Sequence, residues 1–415
     1  MDNHDAAPKG LVPYWVKITI VFFLGWISIY ATRSVLNPVM DNIQAEFGLS
    51  ASQLGLISSI FFIGYAGLNV PSGILGDKIG KKKVLVPGVI LFGIFAAVTG
   101  MMPTFALFMT TWLLVGIFQG FYYGPQYGLS SEAIPKKHIT VGSAIINSGM
   151  AFGLSLGYFI SSYTVGTLGM SWRAPFYIIA VPVVLAGIAM WIVIKDKPKA
   201  KEQGTDEKAP QKLKLKELFS KNLIFAYITI FCAIYAFFVV VTWIPYYLQH
   251  ARGIEGTEVA VVSSLVPWAA IPGSLLFSWI ADKMGTRRPV LLVMLPLSII
   301  AIISIVAFDN MWVLYMALIG YGIFGKISTN PVLVAVVADN APKHALSTAF
   351  GLYNFIGMCG SILAPYITGF LTDATGSLNA GFYFAGFLLV IGTVSVLFIK
   401  EDNRPNAEAA EAPSK

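Results

Sequence analysis

Stretches of about 20 apolar residues recur along almost the whole of this 415-residue chain. A run of that length crosses the hydrocarbon core of a bilayer as a helix, and only helices and closed barrels satisfy every backbone hydrogen bond there. A barrel would need alternating segments of about 10 residues, whereas the runs here are continuously apolar. The chain is 56% hydrophobic and 12% charged, against about 25% charged for a soluble domain. The pattern predicts an all-α polytopic membrane protein with twelve transmembrane helices. The expected spans are 14–38, 51–76, 83–101, 104–130, 139–164, 173–194, 221–249, 257–281, 289–307, 311–337, 345–371 and 380–399.

Charge orients these spans. Of the 28 lysines and arginines, Arg33 and Lys326 fall inside spans, and Arg173 and Arg252 lie in loops on one side. All the others fall on the opposite side, with both termini. Positive loops stay in the cytoplasm, so the chain is expected in the cytoplasmic (inner) membrane with both termini cytoplasmic. The net charge of +7 then needs no nucleic-acid partner. The opening MDNHDAAPKGLVPYW is not shaped like a signal peptide, so the first apolar run is expected to remain as a span. Cys232 and Cys359 sit in apolar runs and read as small core residues, with no metal-binding spacing around them.

A Lys-rich stretch, KDKPKAKEQGTDEKAPQKLKLKELFSK, separates spans six and seven. This gives an N-terminal six-helix bundle (1–194), a cytoplasmic linker (195–220), a C-terminal six-helix bundle (221–400) and a cytoplasmic tail (401–415). A short amphipathic helix near KLKLKELF is expected at the membrane surface. The two bundles repeat. GILGDKIGKKKVLV (Gly73 to Val86) returns as SWIADKMGTRRPVL (Ser278 to Leu291), GIFQGFYYGP (Gly116 to Pro125) as GIFGKISTNP (Gly322 to Pro331), and AIPKKH as NAPKH, all at nearly one offset. A duplicated six-helix unit is an architecture of secondary transporters, with the substrate site near the midplane between repeats.

GILGDKIGKKK resembles the signature G-x-L-a-D-r-x-G-r-k/r-x of the major facilitator superfamily, in the loop expected for it, and SWRAPFY at the start of span six is also similar to that superfamily. The residues themselves suggest a gate. Gly73 allows close helix approach, Asp77 near a helix end can pair with Lys78 or Lys81 of the same loop, and Gly80 closes the motif. Asp282 holds the matching place in the second copy. Lys78, Lys81, Lys82 and Lys83 also read as simple topology markers.

The span interiors contain no Asp or Glu, which leaves Arg33 and Lys326 without an acidic partner in the sequence. A charge at the bilayer centre costs about 2.5–3.5 kcal/mol and marks a cavity or a pathway. A cavity of net positive charge suits an anion. Arginine offers a planar fork for a carboxylate, sulfonate or phosphate, and lysine a point charge. The bland alternatives are that Arg33 snorkels to the interface and that Lys326 bonds to carbonyls of a broken helix. In the superfamily the first, fourth, seventh and tenth spans line the cavity, so the resemblance puts both cations there.

YATRSVLN, GIFQGFYYGPQYG and TWIPYYL resemble stretches of the organophosphate:phosphate antiporters, and anion:cation symporters also carry an Arg at the Arg33 position. The chain departs from the antiporters at about Phe237, Asn69 and Ile146, where they carry Arg, Lys and His. It also lacks, at Gly116, an Arg found in many proton-coupled members. The resemblance therefore implies a small organic anion, a mono- or dicarboxylate or sulfonate, exchanged for a counter-anion. Proton-coupled symport and a transporter-like ligand sensor are the alternatives. Further cavity candidates, each with a polar tip or an amide, are Tyr30, Gln119, Tyr123, Tyr127, Asn147, Trp243, Tyr353 and Asn354. Tyr246, Tyr247 and Trp112 are expected in interfacial belts. No phosphate-binding loop, dinucleotide fingerprint or catalytic set is present, so the chain reads as a transporter that needs no cofactor, works as a monomer in the lipid bilayer and is not an enzyme.

Overall fold

The structure, a computed structural model, describes residues 12–135, 138–195, 215–342 and 346–401. Its elements are helical throughout. The first half holds α1 (Tyr14–Ser34), α2 (Met40–Phe47), α3 (Ala51–Ile79), α4 (Lys81–Met101), α5 (Phe105–Gly120), α6 (Tyr123–Ala133), α7 (Ile139–Ser161) and α8 (Ala174–Val193). A four-residue helix, α9 (Leu215–Leu218), precedes the second half. That half holds α10 (Lys221–Arg252), α11 (Thr257–Ser263), α12 (Leu265–Met284), α13 (Arg288–Ala307), α14 (Met311–Phe324), α15 (Lys326–Asn340), α16 (Leu346–Thr375) and α17 (Asn379–Leu397). They make 12 stretches long and apolar enough to cross a membrane. Most of the expected linker (196–214) and all but one residue of the expected tail lie outside the described residues.

Three spans differ instructively from the sequence reading. The first runs from Tyr14 to Phe47 rather than ending at 38. Pro38 starts no loop, because it sits in the opening of a 3-10 turn (Asn37–Val39) where its missing N–H costs nothing. The fourth and tenth spans are each broken, between α5 and α6 at Phe121–Tyr122 and between α14 and α15 at Gly325. The two breaks fall at corresponding places in the repeat.

Small residues set how the helices meet. On α7, Gly149, Gly153 and Gly157 form a stripe against α1. A methyl group at these positions would lie 2.7 Å from Phe23 O, 2.6 Å from Ile27 O and 2.4 Å from Ala31 O. That backbone-to-backbone contact, typical of helix packing in lipid, fixes the rotation of α1. Arg33, one turn below Asn37, is thereby held toward the interface between the halves.

The halves join on one side only. Call the face bearing Tyr14 and Ile399 the terminal side and the opposite face the distal side. Among the described residues, every hydrogen bond and ion pair between halves lies in the distal part. Asn37 Nδ2 and Tyr158 OH both donate to Val241 O (2.9 and 2.7 Å), and Gln249 Nε2 donates to Pro38 O (2.9 Å). Ser59 Oγ donates to Ile362 O (2.6 Å), and His250 Nε2 lies 2.9 Å from Asp41 Oδ1. The N-terminus of α3 is capped twice. Ser50 and Gln53 form a reciprocal capping box, and the Asp373 carboxylate of the other half accepts from Ala51 N and Ser52 N, each at 2.9 Å. On the terminal side, α6 packs on α3, α4 and α1, and α15 on α12, α10 and α14, each within its own half.

Candidate functional site

Arg33 lies at the last turn of α1, near the middle of the continuous first span. The span continues beyond Arg33 to Phe47. Its guanidinium carbon sits over four rings, Tyr65 at 4.4 Å, Tyr30 at 5.0 Å, and Phe61 and Phe62 at 5.5 Å each. Contacts of this kind are worth about 0.5–2 kcal/mol each and rise as water is excluded. Nε donates to Gln119 Oε1 at 2.7 Å, and Gln119 Nε2 in turn donates to Ile29 O at 3.4 Å. Gln119 therefore orients the arginine, with one bond at each end of its amide. Arg33 Nη2 is buried and has no acceptor. An orphaned buried donor costs about 1–3 kcal/mol, more when charged, so Nη2 is free to take an acceptor.

Lys326 opens α15, just after the break at Gly325. Among the described residues its ammonium makes no hydrogen bond or ion pair, and it lies 5.7 Å from the Phe237 ring centre. Phe237 also lines the cavity that Arg33 lines, so one ring borders Lys326 and the Arg33 cavity. No acidic residue of the described spans lies deep within one. Asp41, Glu46, Asp77, Glu132, Glu258, Asp282, Asp339 and Asp373 all lie at or near span ends.

The remaining candidates separate. Tyr123 packs at a tilt against Tyr127 (4.8 Å), Trp26 bridges Tyr30 and Tyr123 (5.7 and 6.1 Å), and Tyr127 OH donates to Asn147 Oδ1 at 3.3 Å. This aromatic series leads from Arg33 toward the terminal side, where Tyr127 and Asn147 are exposed. In the second half Tyr353 OH donates to Asn330 Oδ1 at 3.1 Å, a partner the sequence reading did not name, and Asn354 is half-buried beside it in sequence. Trp243 is not on the cavity wall. It is fully buried, and its indole donates to Pro365 O at 3.3 Å within its own half. Trp112 and Tyr247 are likewise core residues, not belt residues, at 1% and 3% exposure. Tyr246 bonds to Gln44 Oε1 across the distal seal. Tyr65, Phe61 and Phe62 were missed, although their one-turn spacing on span two puts them on one face.

At the expected gate, Gly73 meets Gly124, whose added methyl would sit 3.0 Å from the Gly73 Cα. Gly80 has a φ of 111°, a turn only glycine makes easily. Lys81 pairs with Glu132 and lies 3.9 Å from Asp77, Lys78 is exposed, and Asp282 is 3.0 Å from Arg287. All these pairs stay within one half.

Comparison with protein families matches the Major Facilitator Superfamily over residues 22–262 and again over 226–415. The chain belongs to that superfamily. As a major facilitator protein it is a multi-pass membrane transporter and not an enzyme. It is similar to the hexuronate transporter of Bacillus subtilis (strain 168), at 25% identity over 96% of this chain and 98% of that one. It is also similar to the gentisate transporter of Corynebacterium glutamicum, at 25% identity over 87% and 82%. A probable sulfoacetate transporter of Cupriavidus necator is 26% identical over 89% and 90%. A bacterial homologue of the lysosomal transporter Spinster shares the fold, with a TM-score of 0.75 at 15% identity over 94% of this chain and 95% of that one.

Proposed function

We propose that this major facilitator protein moves a small organic anion, a mono- or dicarboxylate or a sulfonate, across the inner membrane by alternating access, as an anion exchanger. The observation that carries the reading is Arg33, a permanent cation in mid-span whose buried Nη2 has no acceptor. Lys326, likewise without an acid, supplies the second charge from the other half. The relatives named for hexuronate, gentisate and sulfoacetate all point to organic acids. With the termini in the cytoplasm, the distal seal closes the outside and the site opens inward. An anion enters past Tyr127, Asn147 and Tyr123, settles on Arg33 beside Tyr30, and is approached by Lys326 and Tyr353 as the bundles 1–194 and 221–400 rock. Asp77, Lys81, Gly73, Gly80, Lys78 and Asp282 then serve the cytoplasmic gate. The interior offers no carboxylate for a proton relay, which favours exchange over symport.

Reconstituted vesicles test this directly. Preloading with unlabelled acid should accelerate uptake of labelled acid, and Arg33→Ala should reduce it by about 100-fold or more, the scale for losing a buried charged partner. Lys326→Ala should cost about tenfold or more. Wild-type exchange in both variants, with the protein folded in the membrane, would refute the site. Uptake driven by a pH gradient without preloading would favour symport, and binding without flux would favour a sensor.

A further inference from the structure

We propose that a groove on the terminal side of the first half binds one anionic phospholipid, with Lys82 and Lys83 on its phosphate. The groove lies between the N-terminal half of α4 and the last turn of α8 and measures about 600 Å³. Lys82 and Lys83 stand at its terminal end, and Pro87, Ile90 and Leu91 continue it as an apolar wall along α4. Trp191 of α8 forms the opposite wall. It is 62% exposed, a ring at the end of a span, where aromatic side chains meet lipid headgroups. The groove is closed at its inner end. A methyl on Gly187, one turn before Trp191, would lie 2.6 Å from Ile90 Cγ1, so the two helices touch there.

The charges on this groove are unanswered within the protein. Lys81, next in sequence, pairs with Glu132 and lies 3.9 Å from Asp77. Among the described residues, neither Lys82 nor Lys83 forms an ion pair. A topology marker needs only a positive loop. It does not need two free ammonium groups bordering one apolar groove. A phosphate on the two lysines, with an acyl chain along Pro87, Ile90 and Leu91, answers the charge and covers the apolar wall together. Basic pockets between helices at the cytoplasmic face take anionic headgroups on the same chemistry. A free phosphate would leave the apolar wall bare. A zwitterionic lipid would bring an ammonium of its own to a place that is already positive. Both walls belong to the first half, so the lipid travels with that bundle.

The test titrates delipidated full-length protein in detergent with phosphatidylglycerol, phosphatidylcholine or glycerol 1-phosphate, following thermal stabilisation, which any ligand of the native state must produce. Phosphatidylglycerol should half-saturate the wild type at a concentration about tenfold or more below phosphatidylcholine, each lysine contributing about fivefold. Glycerol 1-phosphate should have no effect at those concentrations. Lys82→Gln/Lys83→Gln should weaken phosphatidylglycerol by about tenfold or more and leave phosphatidylcholine unchanged. Trp191→Ala should weaken both lipids, since both would use the apolar wall. Lys283→Gln/Lys400→Gln removes the same charge from exposed positions on the terminal side of the other half. It should change phosphatidylglycerol binding by less than about twofold, because screening confines each charge to its own neighbourhood. If Lys82→Gln/Lys83→Gln does not fold, Lys83→Gln alone should show the fivefold loss and Lys400→Gln should not. An equal loss in the two double variants would mean diffuse surface charge and overturn the site. Equal half-saturation by the two lipids, or stabilisation by glycerol 1-phosphate, would overturn it as well.

Discussion

At the distal end, α3 and α16 touch backbone to backbone. A methyl on Gly55 would lie 2.1 Å from Pro365 O, and one on Gly369 would lie 2.1 Å from Ala51 O. At the terminal end, α6 and α15 each pack within their own half, and the charges there pair within that half too. The two ends are thus held by different physics. The distal seal is short-range: glycines, main-chain amides and one carboxylate on a helix N-terminus, with the His250–Asp41 contact at its edge. It holds only while the helices are in contact, and its loss is nearly all-or-none. The terminal side is dressed with exposed ion pairs, which are worth about 0–1 kcal/mol each and tolerate water. A transporter must leave either state easily. A closure made of many modest contacts does so more readily than one made of buried salt bridges, whose separation leaves uncompensated charge.

The largest way to break this contrast is to fill the distal glycines. Gly55→Leu or Gly369→Leu should prevent closure, at a cost of about 1–3 kcal/mol or more, and shift the open–closed balance by about 5- to 150-fold. Labelling of a cysteine introduced at Ser58, in a background without Cys232 and Cys359, should rise from the distal side while transport falls. Unchanged labelling would show that α3 and α16 do not form the seal. Asp373→Asn is gentler, removing a charge from the α3 N-terminus while keeping one acceptor. A loss of about 1 kcal/mol should shift the same balance about fivefold, read by the same labelling. The smallest effect on stability belongs to the terminal side. Asp77 is 73% exposed and 3.9 Å from Lys81, so Asp77→Asn should change thermal stability by less than about 1 kcal/mol. If Asp77 latches the other state, transport should nonetheless slow, and normal transport would remove it from the gate.

Much of this was legible in the sequence, and the limits have a physical cause. Hydropathy marks what avoids water, so the twelve spans and their duplication could be read directly, as could two cations with no acid to answer them. Hydropathy does not distinguish lipid from a neighbouring helix. Trp112, Tyr247 and Trp243 were therefore assigned to belts or cavity when they are core. The sequence offers a broken helix at Lys326 only as an alternative, although GKISTNP is a polar interruption of the span; the backbone places the break, with Gly325 extended at ψ −164°. Phe237 stood out in the sequence only as an arginine that is absent relative to the antiporters. The structure gives that absence content, because the ring borders Lys326 and lines the cavity that Arg33 lines.

The glycine stripe on α7 has a mechanical consequence. With carbonyls of α1 so close to the Cα positions of Gly149 and Gly153, there is no slack for α1 to slide or roll against α7. The pair behaves as one stiff beam, and Arg33 is a fixture on it. The arginine therefore cannot swing between faces to follow its cargo. It stays put while the walls around it trade places, and the solvent it sees changes because the beam tilts.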